Sequence, residues 1–190
     1  MARAKEFDYN DVLDKATEIF LEKGYYNTSF QDLVDYMGIH RRSIYDTYGD
    51  KKQLYLKALE RYAKFVNQNY FSLISDDMTI HQKFETIFKY SAFPMKDCPK
   101  GCLFVNSAIE LAPSDNDIST QVKLFFENTK KFFVDILTVA KEKKEIDQSA
   151  NIYKIASYLN NALIGIRVLV KCSPSENELN DIIKTTLSVL

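Results

Sequence analysis

Arg41 and Arg42 stand side by side, preceded by His40 and followed by Tyr45, Thr47, Lys51 and Lys52, with a Gly49-Asp50 break between the tyrosine and lysine groups. Guanidinium and ammonium groups at this density, with hydroxyls among them, suit the phosphates and base edges of a nucleic acid. The residue types that make and break bonds are dispersed. Cys98 and Cys102 are spaced C-x3-C, Cys172 is alone, and His40 and His81 lie in separate segments, so no zinc-ligand spacing results. There is no Gly-rich phosphate loop, G-x-S-x-G turn or Ser/His/Asp set, so neither catalysis, a cofactor nor a metal is expected.

The 190 residues are 46% hydrophobic and 27% charged, with 5 Gly and 4 Pro, a composition that can bury a real core. The net charge of -1 excludes a globally basic nucleic-acid binder, so a polyanion has to be met by a local patch. Such a patch exists: residues 1–57 carry nine positive and ten negative charges, but residues 38–57 carry five positive and two negative. The N-terminal residues lack the apolar core of a secretory signal, and no segment approaches the roughly 20 apolar residues that span a bilayer. An odd number of cysteines without such a signal points to reduced thiols. A cytoplasmic location without membrane contact is expected.

Helical period is present almost throughout the chain. Val12, Leu13, Ala16, Ile19 and Phe20 recur at offsets of three and four over 9–23, with Asn10 or Asp11 as N-cap and Gly24 as the stop. Thr28 or Ser29 caps a second helix with Phe30, Leu33, Val34 and Met37 on its apolar stripe, ended by Gly38. A third short helix carries Ile44 and Tyr48 inward and Arg41, Arg42, Tyr45 and Thr47 largely outward, ending at Gly49. Two short helices joined by a Gly-containing turn and braced by a longer one form a helix-turn-helix, whose last helix enters a DNA major groove. Tyr48 fits the small core, and His40 is placed either to touch a base or phosphate or to cap its helix. Further helices are expected at 50–74, 79–93, 101–112, 115–144, 149–172 and 175–189, and FPMKDCPKG is the clearest loop.

Val12-Leu13, Ala16, Phe20, Gly24-Tyr25, Thr28-Ser29, Leu33, Gly38-Ile39, Ile44-Tyr45, Tyr48, Lys51 and Leu54 together resemble the N-terminal pattern of TetR-type transcriptional repressors. The resemblance implies an all-α protein of about nine helices: a DNA-binding head over 1–49 and an effector-binding, dimerising body over 50–190, with helix 50–74 as connector. It implies a homodimer on a palindromic operator in double-stranded DNA, released by a small-molecule or thiol-reactive effector. It also implies DNA contacts at Thr28, His40, Arg41, Arg42, Tyr45, Thr47 and Lys51. His40, Thr47 and Gly49-Asp50 depart from the family's usual residues, which bears on the operator sequence.

In the body, Gly101-Cys102 opens a helix near Lys100, where the dipole favours a thiolate. The segment GCLFVNSAIEL is similar to a branch of the family that responds to electrophiles and oxidants, which implies a sensor role for Cys102 assisted by Lys171. The alternative for Cys102 is plain packing. A non-covalent pocket would draw on Phe84, Phe88, Phe104, Phe125, Phe126, Phe133 and Tyr158, with Asn106, Glu110, Asn161 or Arg167 as polar contacts. The helix spanning 157–171 is apolar over more than one face, and Ala162 and Gly165 allow close approach. Tyr158, Ala162, Gly165, Ile166 and Leu169, with Leu179, Ile182, Ile183 and Thr186 of the last helix, are the expected four-helix dimer interface. The competing function is a helical protein-interaction module that does not bind DNA, its basic residues merely solvated.

Overall fold

The computed structural model describes residues 7–93 and 100–190, so most of the expected FPMKDCPKG loop, with Cys98, lies outside the described residues. The described chain is all-α: α1 Tyr9–Lys23, α2 Phe30–Met37, α3 Arg41–Tyr48, α4 Lys51–Leu73, α5 Ile80–Ala92, α6 Leu103–Glu110, α7 Asn116–Glu142, α8 Ile152–Leu169 and α9 Glu176–Leu187. A 3-10 turn over Val170–Cys172 extends α8. None of these helices is long and apolar enough to cross a membrane.

Seven of the nine helices begin with a side chain that satisfies a free backbone N–H. Asp8, not Asn10 or Asp11, caps α1, its carboxylate accepting from both of their backbone N–H groups. Ser29 and Asp32 form a reciprocal capping box at α2, and Thr79 and Gln82 do the same at α5. Asp50, Asp115, Asn151 and Ser175 cap α4, α7, α8 and α9. The two exceptions are His40 before α3 and Cys102 before α6, which make no capping hydrogen bond.

α1 packs against α2 and along α4, which runs from the head into the body. There α7 lies along α8, α5 packs on α9 and α8, and α6 is wedged between α7 and the α1–α4 pair. One buried cluster runs without a break from Val12, Leu33, Ile44 and Tyr48 through Leu54 and Leu59 to Phe88, Leu137, Leu163 and Ile183. Its waist is aromatic: Phe20 meets Tyr55 edge-on at 4.8 Å, and Tyr25 meets Tyr55 at 5.0 Å. Asp14 and Arg61 close the α1–α4 seam with two parallel hydrogen bonds of 2.7 Å.

Candidate nucleic-acid interface and effector cavity

The turn between α2 and α3 depends on Gly38, whose φ of 71° and ψ of 26° place it in the left-handed region that side chains resist. Its N–H closes on the Val34 carbonyl, ending α2 and redirecting the chain. α3 is then held from below by Ile44 and Tyr48, both buried, and the Tyr48 hydroxyl donates to the Tyr9 carbonyl at 2.8 Å. Burial pushes the Tyr48 phenol well above its ordinary value. With its inner face pinned, α3 turns a defined outer face to solvent.

That face is a short cationic-aromatic ridge. Tyr45 stacks on Phe30 with centroids 4.6 Å apart, and the Arg41 guanidinium lies 4.8 Å above the Phe30 ring. Arg41 is thereby stiffened without losing its charge. The Arg42 side chain is 92% exposed and only loosely paired with Asp46 at 3.6 Å. His40 is exposed and, making no cap bond, leaves the first N–H groups of α3 available to an anion. Thr47 is half-buried on the same helix.

Two expected DNA contacts are placed otherwise. Thr28 is fully buried and its hydroxyl donates to the Gly24 carbonyl at 2.6 Å, so it ties down the α1–α2 turn and leaves the exposed cap to Ser29. Lys51 holds its ammonium 4.3 Å from the Tyr25 ring, where burial lowers its pKa against the pull of Glu110 and Asp32. Lys52 is likewise engaged, bridging Asp115 and Asp117 at 2.8 Å each.

Three residues expected at the effector pocket instead bind the head to the body. The Glu110 carboxylate accepts from the backbone N–H groups of Tyr25 at 2.9 Å and Tyr26 at 3.2 Å. A Cβ on Gly24 would sit 2.8 Å from that carboxylate, so glycine is required by both its φ of 81° and the close approach of Glu110. Asn106 and Lys171 both donate to the Leu21 carbonyl, at 3.3 and 3.2 Å. Together they fill the role of a helix C-cap with donors and a cation, as the carbonyl end of a helix favours. Burial lowers the Lys171 pKa, while Glu110 and Cys102 act to raise it.

A cavity of about 350 Å³ lies beside this joint. α1 contributes Asp14, Thr17, Glu18 and Leu21; α4 contributes Arg61, Tyr62, Phe65, Val66 and Tyr70; Tyr90, Ser91, Gly101 and Arg167 complete the wall. Of the polar contacts expected from sequence, Arg167 lines it. Phe88 and Phe104 do not: both are fully buried core, and Phe104 is stacked on Phe125 at 3.9 Å. Phe84 and Phe133 are paired edge-on in the same core. Phe126 packs against it half-buried, while Tyr158 and Asn161 face outward on α8. The α1 and α4 wall residues were not legible in the sequence, because periodicity separates apolar from polar positions without saying which of them border a void.

Cys102 lies just behind the Gly101 wall and is 0% exposed. The Tyr62 phenol is raised first by burial, then by the nearby Cys102 thiol. The Lys171 chain lies over Gly101, within 2.5 Å of where a Cβ would stand.

At the outer surface of α8, Tyr158, Gly165 and Val168 are exposed, and Ala162, Leu169 and Ile182 of α9 are half-exposed. Ile166, Leu179, Ile183 and Thr186 are not part of that surface: all are buried within the single chain, at 2 to 5% exposure. Their stripe faces the body's own core because α5 packs on both α8 and α9.

The family model described as "Bacterial regulatory proteins, tetR family" matches residues 12–58, and "Tetracyclin repressor-like, C-terminal domain" matches residues 80–185. The chain is 33% identical over 193 residues to the uncharacterized HTH-type transcriptional regulator YezE of Bacillus subtilis, covering 100% of both chains. It is 28% identical to the HTH-type transcriptional repressor ComR of Escherichia coli, over 97% of this chain and 90% of that one. Its fold matches a cysteine mutant of the TetR family regulator CifR, solved with 26-base-pair operator DNA. There the TM-score is 0.88 at 19% identity, covering 98% of each chain.

Proposed function

The chain belongs to the tetR family of bacterial regulatory proteins, and from that premise we propose that it is a cytoplasmic, homodimeric repressor that binds a palindromic operator and is released by an effector. The observation that carries the reading is the ridge of His40, Arg41, Arg42 and Tyr45 on α3, the one helix of the head whose outer face is cationic and uncapped. Two such ridges, one from each subunit, would enter successive major grooves about 34–36 Å apart. We assign residues 1–49 to DNA binding and 50–190 to effector binding and dimerisation, with α4 shared between them.

α1 is the element through which an effector acts. It braces the helix-turn-helix on one side, lines the cavity on another, and has its carbonyl end held by Asn106, Lys171 and, through the following turn, Glu110. A ligand that changes the α1–α4 spacing changes the angle at which α3 is presented, and hence the spacing of the two ridges. The coupling is reciprocal: the effector weakens operator binding by the factor by which operator weakens effector binding.

A thiol-reactive effector is the second reading, favoured by the nearness of Cys102 to Tyr62, a wall residue of the cavity. Release of operator by a quinone, retained in Cys102→Ser, assigns the effector to the cavity alone; loss of release in that variant assigns it to the thiol.

Selection of bound sequences from a random duplex pool, followed by titration of the winner with salt, tests the function itself. An enriched palindrome whose affinity falls steeply with salt is the expected result, since Lys and Arg displace condensed counterions from phosphates. No enrichment at any salt would leave the interaction-module reading.

A further inference from the structure

We propose that the cavity between α1, α4, α5 and α8 receives a small organic monoanion with an aromatic or apolar body, whose acid group pairs with Arg167. The proposal deepens the effector reading above and rests on it. Arg167 is 5% exposed, yet it lines the cavity. Its Nη2 donates to the Tyr70 hydroxyl, and its guanidinium carbon lies 5.7 Å from the Tyr70 ring and 5.8 Å from the Phe125 ring. These partners are neutral. Among the described residues no carboxylate forms an ion pair with it; burial works against its charge, and the groups that support it are Tyr70, Cys102 and Tyr62.

A guanidinium withdrawn from water without a counter-ion is costly, and it carries five N–H donors in a planar fork that matches a carboxylate. Tyr70 is the one hydrogen-bond acceptor of that fork among the described residues. No fully buried side-chain nitrogen or oxygen there lacks a partner, so the guanidinium nitrogens that Tyr70 does not use open onto the cavity. The other cation in the wall, Arg61, is already matched by Asp14.

The rest of the lining fits the body of such a ligand. Leu21, Tyr62, Phe65, Val66 and Tyr70 give an aromatic and aliphatic wall. A volume of about 350 Å³ suits a one-ring molecule with a short chain. Asp14, neutralised by Arg61, and Glu18 both line the α1 side of the cavity, and the Glu18 charge repels a second negative charge and so selects a monoanion. Because both residues lie on α1, the ligand meets the head's bracing helix directly.

The test uses the full chain. Benzoate, phenylacetate, 3-phenylpropanoate and 4-phenylbutanoate are each titrated against the corresponding uncharged amide by calorimetry, with operator binding followed by fluorescence anisotropy. At least one acid is expected to bind about 10- to 100-fold more tightly than its amide, the range a charged hydrogen-bonded pair supports, and to release operator. Arg167→Gln should erase the acid's advantage, Arg167→Lys should keep part of it, and Cys102→Ser should keep it whole. The acid–amide comparison in the unaltered protein needs no variant to fold. The proposal fails if no acid is distinguished from its amide, if Arg167→Gln preserves the preference, or if Cys102→Ser removes it, which would make Arg167 the thiol's partner. Acid binding without any enriched operator sinks the repressor reading alone; a palindrome bound without acid preference sinks only the anion receptor.

Discussion

At the scale of single residues, α3 separates side chains that hold the head from side chains that face outward. Arg42 makes one weak exposed pair, so Arg42→Ala is expected to shift stability by no more than about 0.5 kcal/mol while costing about 1–3 kcal/mol in operator affinity if it reads a base. Tyr45→Ala removes both the outward ring and the platform stacked on Phe30, and should weaken operator binding with the helical circular-dichroism signal intact. Unchanged anisotropy titrations for both variants would show that α3 is not the reading helix. Thr28 is a contrasting case: its buried hydroxyl closes on Gly24, so Thr28→Val should lower the unfolding midpoint ahead of any specific effect on DNA. Glu110 acts at the same scale on the opposite side of the turn. Glu110→Ala leaves the Tyr25 and Tyr26 N–H groups without their acceptor, an expected loss of about 1–3 kcal/mol in urea unfolding, with Glu110→Gln intermediate.

At the scale of elements, helix starts are closed by local side chains, whereas the end of α1 depends on distant partners. Asp8, Ser29, Asp50, Thr79 and Ser175 are local devices, each reaching only a few residues along its own chain. The end of α1 instead needs Asn106 and Lys171, which lie 85 and 150 residues away. The elements also set an acid limit. Hydrogen bonds from Lys23 and Ser29 hold the Asp32 carboxyl well below its ordinary value of 3.8, and Lys52 does the same for Asp115. Groups with depressed folded pKa values contribute stability above the unfolded value and lose it as pH falls through the folded one. The urea midpoint should therefore be level on their account above roughly pH 4 and decline below it. Asp32→Asn should flatten the decline, and an unchanged slope in that variant would remove the α2 box from the acid response.

At the scale of the whole molecule, the outer face of α8 and α9 is the proposed dimer contact. Among the described residues nothing beyond its own helix backbone lies within 4 Å of where a Cβ on Gly165 would stand, so a side chain there meets no clash and even gains up to about 1 kcal/mol of helix propensity. Gly165→Glu should thus fold normally but elute at 22.0 kDa instead of twice that mass, because the charge is buried only where two copies meet. Light scattering of a variant that stays dimeric would move the interface elsewhere. If the variant is monomeric, its operator affinity should fall far more than that of any single contact variant, since one head then binds without the second.

What the sequence determined by itself was what is local or periodic: the nine helices of the described residues, the Gly38 turn, the Ser29 cap, and the segregation of Ile44 and Tyr48 from Arg41, Arg42 and Tyr45 on α3. These follow from offsets of three and four and from side chains that bond their own backbone. The tertiary structure alone decided what depends on two distant segments meeting. It placed Glu110, Asn106 and Lys171 on the head–body joint, drew Lys51 and Lys52 out of the cationic patch, and buried Ile166, Leu179, Ile183 and Thr186 within the chain. It also opened the cavity at the edges of the α1 and α4 stripes around Arg167. The physical reason is that a helix's period says which face is apolar, whereas what covers that face, or fails to, is a property of the neighbour.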